Sequence, residues 1–217
     1  AEAAKDLMFT SCGKTTHNER SPIPRAGVVD AYKTVSSGRL GPQSDVGLVI
    51  SMVGLPARGK TYIARRIQRY LVWMGNRAEV FNVGNYRRKM LGADQRHDFF
   101  DPSNEEAARV RLQLAEAAMS DMLAWFRQGG DVAIFDATNS NIDRRRWIRE
   151  RTERQGLRLL FVESICNDEG IIRANILQHK LKNPDYVNKD PEQAVADFRQ
   201  RIAHYVAAYE PLDERSE

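Results

Sequence analysis

A glycine-rich loop lies between a strand pattern and a helix pattern in the first third of the chain. Residues 54–61 read Gly-Leu-Pro-Ala-Arg-Gly-Lys-Thr and fit the P-loop pattern G-x-x-x-x-G-K-[ST]. Residues 46–53 before the loop are dominated by apolar residues, which indicates a strand buried on both faces of a parallel sheet. Residues 62–74 after the loop place Ile63 and Ile67 at helical spacing. The sequence therefore predicts strand, loop and helix, with a phosphate site at the loop amides and the helix N-terminus.

The P-loop pattern assigns expected roles to individual residues. Lys60 is predicted to contact the β- and γ-phosphates of ATP, and the Thr61 hydroxyl to bind Mg²⁺. ATP and Mg²⁺ are thus the expected cofactors. The predicted ATP-binding residues of this segment are Gly54, Leu55, Pro56, Ala57, Arg58, Gly59, Lys60, Thr61 and Tyr62.

Composition favours a globular protein that binds anions. The chain has 217 residues, 42% of them hydrophobic and 29% charged, and contains no apolar run of membrane-spanning length. The net charge of +4 suits anionic small molecules and nucleic acids alike. Single-strand binders interleave aromatic and basic residues, a pattern that is missing here, so nucleic acid is not predicted as a partner. A membrane is not predicted either, because the sequence has no apolar run of spanning length. Cys12 and Cys166 lie far apart in the sequence and do not suggest a disulfide framework, which favours a reducing, cytoplasmic setting.

Residues 1–45 and 46–217 differ in character. The first part is polar and turn-prone, without an initiating Met or a signal-peptide core, and is predicted to be an irregular leader of a fragment or a processed chain. In the second part strand and helix patterns alternate, which predicts a mostly parallel sheet with helices on both faces. The predicted strands are 46–53, 77–83, 131–135 and 157–164, and the predicted helices are 62–74, 104–127, 143–155, 168–181 and 191–209, with Ser103 as a capping-box N-cap.

A second part of the phosphate site is predicted at the end of the third strand. Residues 132–135 are apolar, and Asp136 follows at the carboxyl end, where ligands sit in open α/β sheets. P-loop enzymes place an acid there to bind Mg²⁺ or to orient the nucleophile, so Asp136 is expected to be a metal ligand, a general base or both. Thr138 and Asn139 follow directly and bring a hydroxyl and an amide to the same edge.

An ordered set of segments resembles one family closely. These segments are Gly-Leu-Pro-Ala-Arg-Gly-Lys-Thr-Tyr-Ile (54–63), Phe-Asn-Val-Gly-Asn-Tyr-Arg-Arg (81–88), Phe-Phe-Asp-Pro-Ser-Asn-Glu-Glu (99–106), Phe-Asp-Ala-Thr-Asn (135–139), Val-Glu-Ser-Ile-Cys (162–166) and Pro-Asp-Tyr-Val-Asn (184–188). Together they resemble the kinase half of the bifunctional 6-phosphofructo-2-kinase/fructose-2,6-bisphosphatase family over about residues 46–213. The resemblance implies an adenylate-kinase-like, three-layer αβα P-loop NTPase fold. It also implies transfer of the ATP γ-phosphoryl group to the 2-hydroxyl of fructose 6-phosphate, in the control of glycolysis.

The resemblance also implies further site residues. Lys60, Asp136 and Cys166 would be the catalytic residues, with Cys166 beside the nucleotide, and Thr61 and Asp136 would hold the metal. Asn175 and Lys180 would border ATP. The implied fructose 6-phosphate contacts are Arg87, Arg111, Thr138, Lys180, Arg201 and Tyr205. Several cations are needed where two phosphate-bearing substrates meet, and Arg binds phosphate in bidentate fashion.

The alternatives are another P-loop kinase, acting on a nucleotide or a polynucleotide 5′-end, and a non-catalytic ATP-binding fragment. Family kinase domains continue for about one more strand and helix, so the resemblance implies truncation at the C-terminal end and reduced turnover. The family's phosphatase uses a histidine in an Arg-His-Gly setting, and none of the four histidines has these neighbours. No phosphatase activity is therefore expected from this chain. The oligomeric state is left open, with a homodimer as one option.

Overall fold

The computed structural model describes residues 46–93, 95–180, 184–186 and 190–213, apart from the side chains of His179, Lys180 and Pro191. The predicted leader, residues 1–45, lies outside this described part. The elements in chain order are β1 Leu48–Val53, α1 Lys60–Trp73, β2 Ala78–Asn82, α2 Val83–Leu91, a 3₁₀ turn His97–Phe100, α3 Glu105–Arg127, β3 Val132–Asp136, α4 Ile142–Glu153, β4 Arg158–Glu163, α5 Glu169–Asn175, a π-helical turn Ile176–Lys180, and α6 Pro191–Ala207.

The four strands form one parallel sheet in the order β2-β3-β1-β4. In register, Leu48 of β1 lies between Val132 of β3 and Arg158 of β4, and Asn82 at the end of β2 pairs with Asp136. The central strands β1 and β3 are buried almost throughout, because helices cover both faces. The predicted strands are confirmed to within two residues at each end.

Two apolar clusters join the helices to the sheet. On one face, α3 and α4 contribute Ala115, Ala118, Met119, Met122 and Ile148, which pack on Val49, Phe81, Ala133 and Phe135. On the other face, α1 contributes Ala64 together with Ile63, Ile67 and Leu71, which pack on Ile50, Met52 and Ile134. The expected three-layer αβα arrangement with a parallel sheet is thereby confirmed. Among the described helices none is both long enough and apolar enough to cross a membrane.

A third cluster lies beside the loop after β1. Ile172, Ile176, Tyr186, Ala194 and Phe198 pack together and enclose Ala57 of the P-loop. Apart from Tyr186, which lies in the turn 184–186, these residues come from α5, the π-helical turn and α6, so this C-terminal part of the fold buries one side of the loop.

Three local features differ from the sequence-based expectations. Asn104, not Ser103, caps α3: its side chain accepts from the Ala107 amide at 2.9 Å, whereas the Ser103 hydroxyl donates to Asp101. The predicted helix 168–181 is helical over 169–180, but only its first seven residues are α-helical and the other five form a π-helical turn. Helix α2 was not predicted, because its residues lack a sustained apolar stripe; the Asn82 side chain begins it by accepting from the Asn85 amide.

Candidate active site

The P-loop is held in a conformation that only particular residues adopt. Gly54 has φ 131° and Gly59 has φ 86°, in the region open chiefly to glycine. A Cβ at Gly54 would also lie 2.6 Å from the Ser164 carbonyl oxygen. Ser164, directly after β4, supports the loop: its amide donates to the Val53 carbonyl at 2.9 Å, and its hydroxyl donates to the Arg58 carbonyl at 2.5 Å.

Lys60 lies at the N-terminus of α1 with its ammonium group turned back over the loop. Its Nζ donates to the Leu55 carbonyl at 2.6 Å, and the residue is 8% exposed. Gly59 precedes the helix, so the first amides of α1 and the Lys60 ammonium face the same loop. Backbone donors at a helix N-terminus together with one ammonium group make an anion site.

Asp136 ends β3 at the neighbouring position of the sheet edge. It is 2% exposed, and one carboxylate oxygen accepts from the Asn82 side-chain amide at 2.5 Å. The Thr138 carbonyl after it accepts from the Gly54 amide at 3.0 Å, so the two loops are bonded to each other. A carboxylate and a hydroxyl, from Asp136 and Thr61, fit Mg²⁺, which binds few protein oxygens and keeps waters and phosphates as its other ligands. The residues present therefore suit the ion.

A cavity of about 950 Å³ lies over this edge of the sheet. It brings together most of the site residues predicted from the sequence: Pro56, Ala57, Arg58, Gly59, Lys60, Thr61, Tyr62, Arg87, Arg111, Asp136, Thr138, Cys166, Asn175, Arg201 and Tyr205. Gly54 and Leu55 are not among its lining residues. The side chain of Lys180, predicted for both ligands, lies outside the described residues.

The lining is strongly cationic. Eight Arg or Lys side chains and two Asp side chains line the described cavity. The cations are Arg58, Lys60, Arg65, Arg87, Arg88, Arg111, Arg144 and Arg201, and the acids are Asp136 and Asp185. Such an excess favours a ligand, or a pair of ligands, with several negative charges.

Arg87 is a buried residue and Arg201 a half-buried one, and each has one buried N–H donor without a hydrogen-bond partner among the described residues. Arg87 forms an ion pair with Asp185, and these residues are 4% and 5% exposed. Burial lowers the pKa of Arg87, the Asp185 carboxylate opposes this shift, and Arg201 adds to it. The Arg201 guanidinium carbon lies 3.6 Å from the centre of the Phe100 ring. In the described part of the chain, neither Arg87 Nη1 nor Arg201 Nε has a hydrogen-bond partner.

Arg111 and Tyr205 approach the same region from α3 and α6. Arg111 donates to the carbonyls of Phe99 and Asp101, and burial lowers its pKa against the opposing effects of Tyr205 and Asp101. The Tyr205 ring lies 6.0 Å from that of Phe100, centre to centre. The 3₁₀ turn that carries Phe99 and Phe100 therefore connects the cations of the two helices.

Arg144 lines the cavity although the sequence did not predict it as a site residue. Its residue lies in the Arg144-Arg145-Arg146 cluster, which is typical of a solvated helix face, yet the structure places Arg144 in the cavity wall. Burial lowers its pKa to about 10, against the opposing effects of Glu116 and Tyr205. Its position in the first turn of α4, shortly after Asp136 and Thr138, is the signal that could have identified it.

Asn175 and Cys166 line the cavity beside the P-loop. The Asn175 side-chain amide donates to the Ala57 carbonyl at 3.0 Å and so holds the P-loop in place. The role at ATP that the resemblance implies did not include this contact. Cys166 is a free, half-buried thiol that packs against the third apolar cluster.

Comparison with known proteins identifies the family. The sequence model described as 6-phosphofructo-2-kinase matches residues 36–217. The chain belongs to the 6-phosphofructo-2-kinase family. It is 42% identical over 213 residues to 6-phosphofructo-2-kinase/fructose-2,6-bisphosphatase of Arabidopsis thaliana, covering 98% of this chain and 28% of that protein. It is 49% identical to the Gallus gallus protein of the same name, covering 96% of this chain and 44% of that one. The chain thus spans less than half the length of these relatives.

Solved structures agree on the fold. Kti12 of Chaetomium thermophilum, solved in complex with ADP-AlF3, matches with a TM-score of 0.50 and 17% identity, covering 78% of this chain and 84% of that one. At this identity the likeness concerns the fold alone. The P-loop αβα fold predicted for this 6-phosphofructo-2-kinase family member is confirmed.

Proposed function

We propose that this chain transfers the γ-phosphoryl group of ATP to the 2-hydroxyl of fructose 6-phosphate, as a 6-phosphofructo-2-kinase acting in the control of glycolysis. The observation that carries the proposal is the pair of buried N–H donors that are unpaired within the described residues, Arg87 Nη1 and Arg201 Nε, on two arginines that line the same cavity as Lys60. A buried donor without a partner costs free energy, which an anionic ligand would recover. Family membership supports the same reaction.

The proposed roles follow the two ends of the cavity. The P-loop amides and Lys60 bind the β- and γ-phosphates and stabilise charge on the transferring group. Bound Mg²⁺, held by Thr61 and Asp136, would neutralise further phosphate charge. Asp136 can also accept the proton of the attacking hydroxyl; metal binding and general base remain its two open roles. Asn175, Lys180 and Cys166 are proposed to border the nucleotide.

The sugar phosphate is assigned to the cationic end of the cavity. Arg87, Arg111, Arg201 and Arg144 are proposed to bind its phosphate and hydroxyl groups. Thr138 and Tyr205 supply hydroxyls for the sugar, and Thr138 lies two residues after Asp136. Catalysis in this class consists mostly of positioning and charge neutralisation, which such an arrangement supports.

The test is an ATP-consumption assay with a panel of acceptors. The proposal expects ADP formation with fructose 6-phosphate and an acid-labile sugar product, and none with a polynucleotide 5′-hydroxyl. Phosphorylation of the polynucleotide would favour another P-loop kinase. ATP binding by calorimetry without consumption would favour a non-catalytic domain.

Further parts of the proposal concern this 217-residue polypeptide as a whole. We expect it to release no phosphate from fructose 2,6-bisphosphate, because none of its four histidines stands in an Arg-His-Gly setting. Release through a phosphohistidine intermediate would contradict this. We also propose a cytoplasmic location, which cell fractionation tests, and light scattering distinguishes a monomer from a homodimer.

A further inference from the structure

Asn139 is a buried residue with an uncommon backbone conformation and, among the described residues, an unpaired side-chain oxygen. Its φ of 42° lies in the left-handed region, which asparagine enters more readily than most residues but at some cost. It is 2% exposed, and in the described part of the chain its Oδ1 has no hydrogen-bond partner. A strained backbone and a buried unpaired acceptor both lower stability, and such violations are expected where a residue serves function.

The other half of the amide explains what the residue does. Asn139 Nδ2 donates to the Met52 carbonyl at 2.8 Å and to the Ser51 hydroxyl at 3.1 Å. Both acceptors belong to β1, the strand that leads directly into the P-loop. Three residues before Asn139 stands Asp136, and the adjacent Thr138 accepts from the Gly54 amide at 3.0 Å. The turn after β3 is therefore bonded to β1 and to the first residue of the P-loop.

Arg145 holds the far side of the same turn. It is 1% exposed, and its Nη1 donates to the carbonyls of Asn139 at 3.3 Å and of Glu210 at 2.8 Å. The Glu210 amide in turn donates to the Ser140 carbonyl at 2.8 Å. The peptide after Asn139 is thus fixed between α4 and the segment that follows α6.

We propose that Asn139 is a positioning residue, which sets Asp136 and Thr138 in place relative to the P-loop, with Arg145 fixing the turn from behind. In the proposed reaction, Asp136 and Thr138 stand on the acceptor side of this junction and the P-loop stands on the γ-phosphate side. A small displacement between reacting groups costs much of the rate, so the junction governs transfer more than it governs binding of ATP. The inference rests on the proposed function for the identity of the acceptor.

The test compares Asn139→Gly and Asn139→Asp with the wild type and with Asn76→Gly. Glycine keeps the left-handed backbone and removes the amide. The control loses a similar bond, from Asn76 Nδ2 to the Leu71 carbonyl at 3.3 Å, in the turn after α1. We expect Asn139→Gly to lower kcat/KM for fructose 6-phosphate about 10- to 100-fold, the scale of a misplacement of about 1 Å. The KM for ATP should change much less, and Asn76→Gly should behave as the wild type.

The aspartate variant adds a pH profile that a merely structural role would not give. An ionised carboxylate repels the Met52 carbonyl, whereas a neutral carboxylic acid donates a hydrogen bond to it. Burial raises the pKa of such a carboxyl group. The ratio of kcat/KM in Asn139→Asp to that in the wild type should therefore rise as the pH falls. Asp136 and Arg145 are present in both proteins, so the ratio cancels their titration to first order.

Hydrogen exchange at the Gly54 amide gives a readout that needs no substrate. After correction for overall stability, Asn139→Gly should speed this exchange, and Asn76→Gly should not. Normal exchange, or normal kcat/KM in the glycine variant, overturns the positioning role. If the wild type fails to phosphorylate fructose 6-phosphate, the proposed function fails, and the exchange arm alone decides whether Asn139 holds the junction.

Discussion

Replacing Asp185 by asparagine tests how the buried charges at the cationic end of the cavity affect the stability of the protein. Asp185 pairs with Arg87, both nearly fully buried, and the same carboxylate oxygen lies 3.5 Å from Arg88 Nη1. Removing one partner of a buried pair leaves an uncompensated charge and costs about 3–5 kcal/mol. For a chain of this size each kcal/mol lowers the melting temperature by roughly 2–4 °C, so Asp185→Asn should melt about 6–20 °C below the wild type.

Fructose 6-phosphate should reverse much of this loss. A ligand at about 100 times its Kd stabilises the native state by about 2.7 kcal/mol. In Asp185→Asn the substrate phosphate would also neutralise the Arg87 charge that lost its carboxylate. At equal fructose 6-phosphate concentration, we therefore expect a larger rise in melting temperature for the variant than for the wild type.

Differential scanning calorimetry with and without the sugar phosphate measures both effects. Asp143→Asn is the matched control, because its pair with Arg146 is largely solvent-exposed and such pairs contribute at most about 1 kcal/mol. The double variant Arg87→Met/Asp185→Leu removes both charges and should regain stability without regaining the substrate response. An equal substrate-induced shift in Asp185→Asn and the wild type would refute the placement of Arg87 at the phosphate.

Four further substitutions test the two ends of the cavity. Lys60→Ala should reduce phosphoryl transfer at least about 10²-fold, the scale of one preorganised electrostatic contact. Near-normal turnover with an intact circular dichroism spectrum would contradict the P-loop assignment. Arg111→Met or Arg201→Met should weaken fructose 6-phosphate binding about ten- to a hundredfold, because each lost charged hydrogen bond costs about 1.5–3 kcal/mol. ATP binding should change little. Equal losses of affinity for both ligands, measured by calorimetry, would indicate a folding defect. Arg144→Met should weaken fructose 6-phosphate binding without lowering the free energy of unfolding at neutral pH. The lowered pKa of Arg144 means that burial disfavours its charged form, so removing the charge should leave stability equal or higher. Clear destabilisation with unchanged affinity would contradict this.

The sequence predicted the fold best at the P-loop and at the strand ends, where a local pattern of residues determines the local structure. The P-loop pattern and the apolar strands before Gly54 and Asp136 predicted the sheet edge on which the cavity stands. Parallel strands end at a common edge, so the order of elements was enough to bring these two loops together. The roles of the individual site residues stay predictions until the substitutions are measured.

Sequence reasoning failed where tertiary contacts decide. Arg144, Arg145 and Arg146 are identical in type, yet Arg145 is buried against carbonyl groups, Arg144 lines the cavity and Arg146 is exposed. Helix phase and the segment after α6 create that difference, and neither is visible in a triplet of arginines. The capping of α3 shows the same limit, because Ser103 and Asn104 are both good N-cap residues and only the placement of Asp101 selects between them.

The product of the reaction tests the central claim most directly. Wild-type protein is incubated with Mg²⁺, ATP and fructose 6-phosphate, and the sugar product is followed by phosphorus NMR before and after mild acid. The account predicts one new phosphate signal on carbon 2 for each ADP formed, lost in acid with return of fructose 6-phosphate. Phosphate on another hydroxyl, or ADP formation without a sugar bisphosphate, would contradict it.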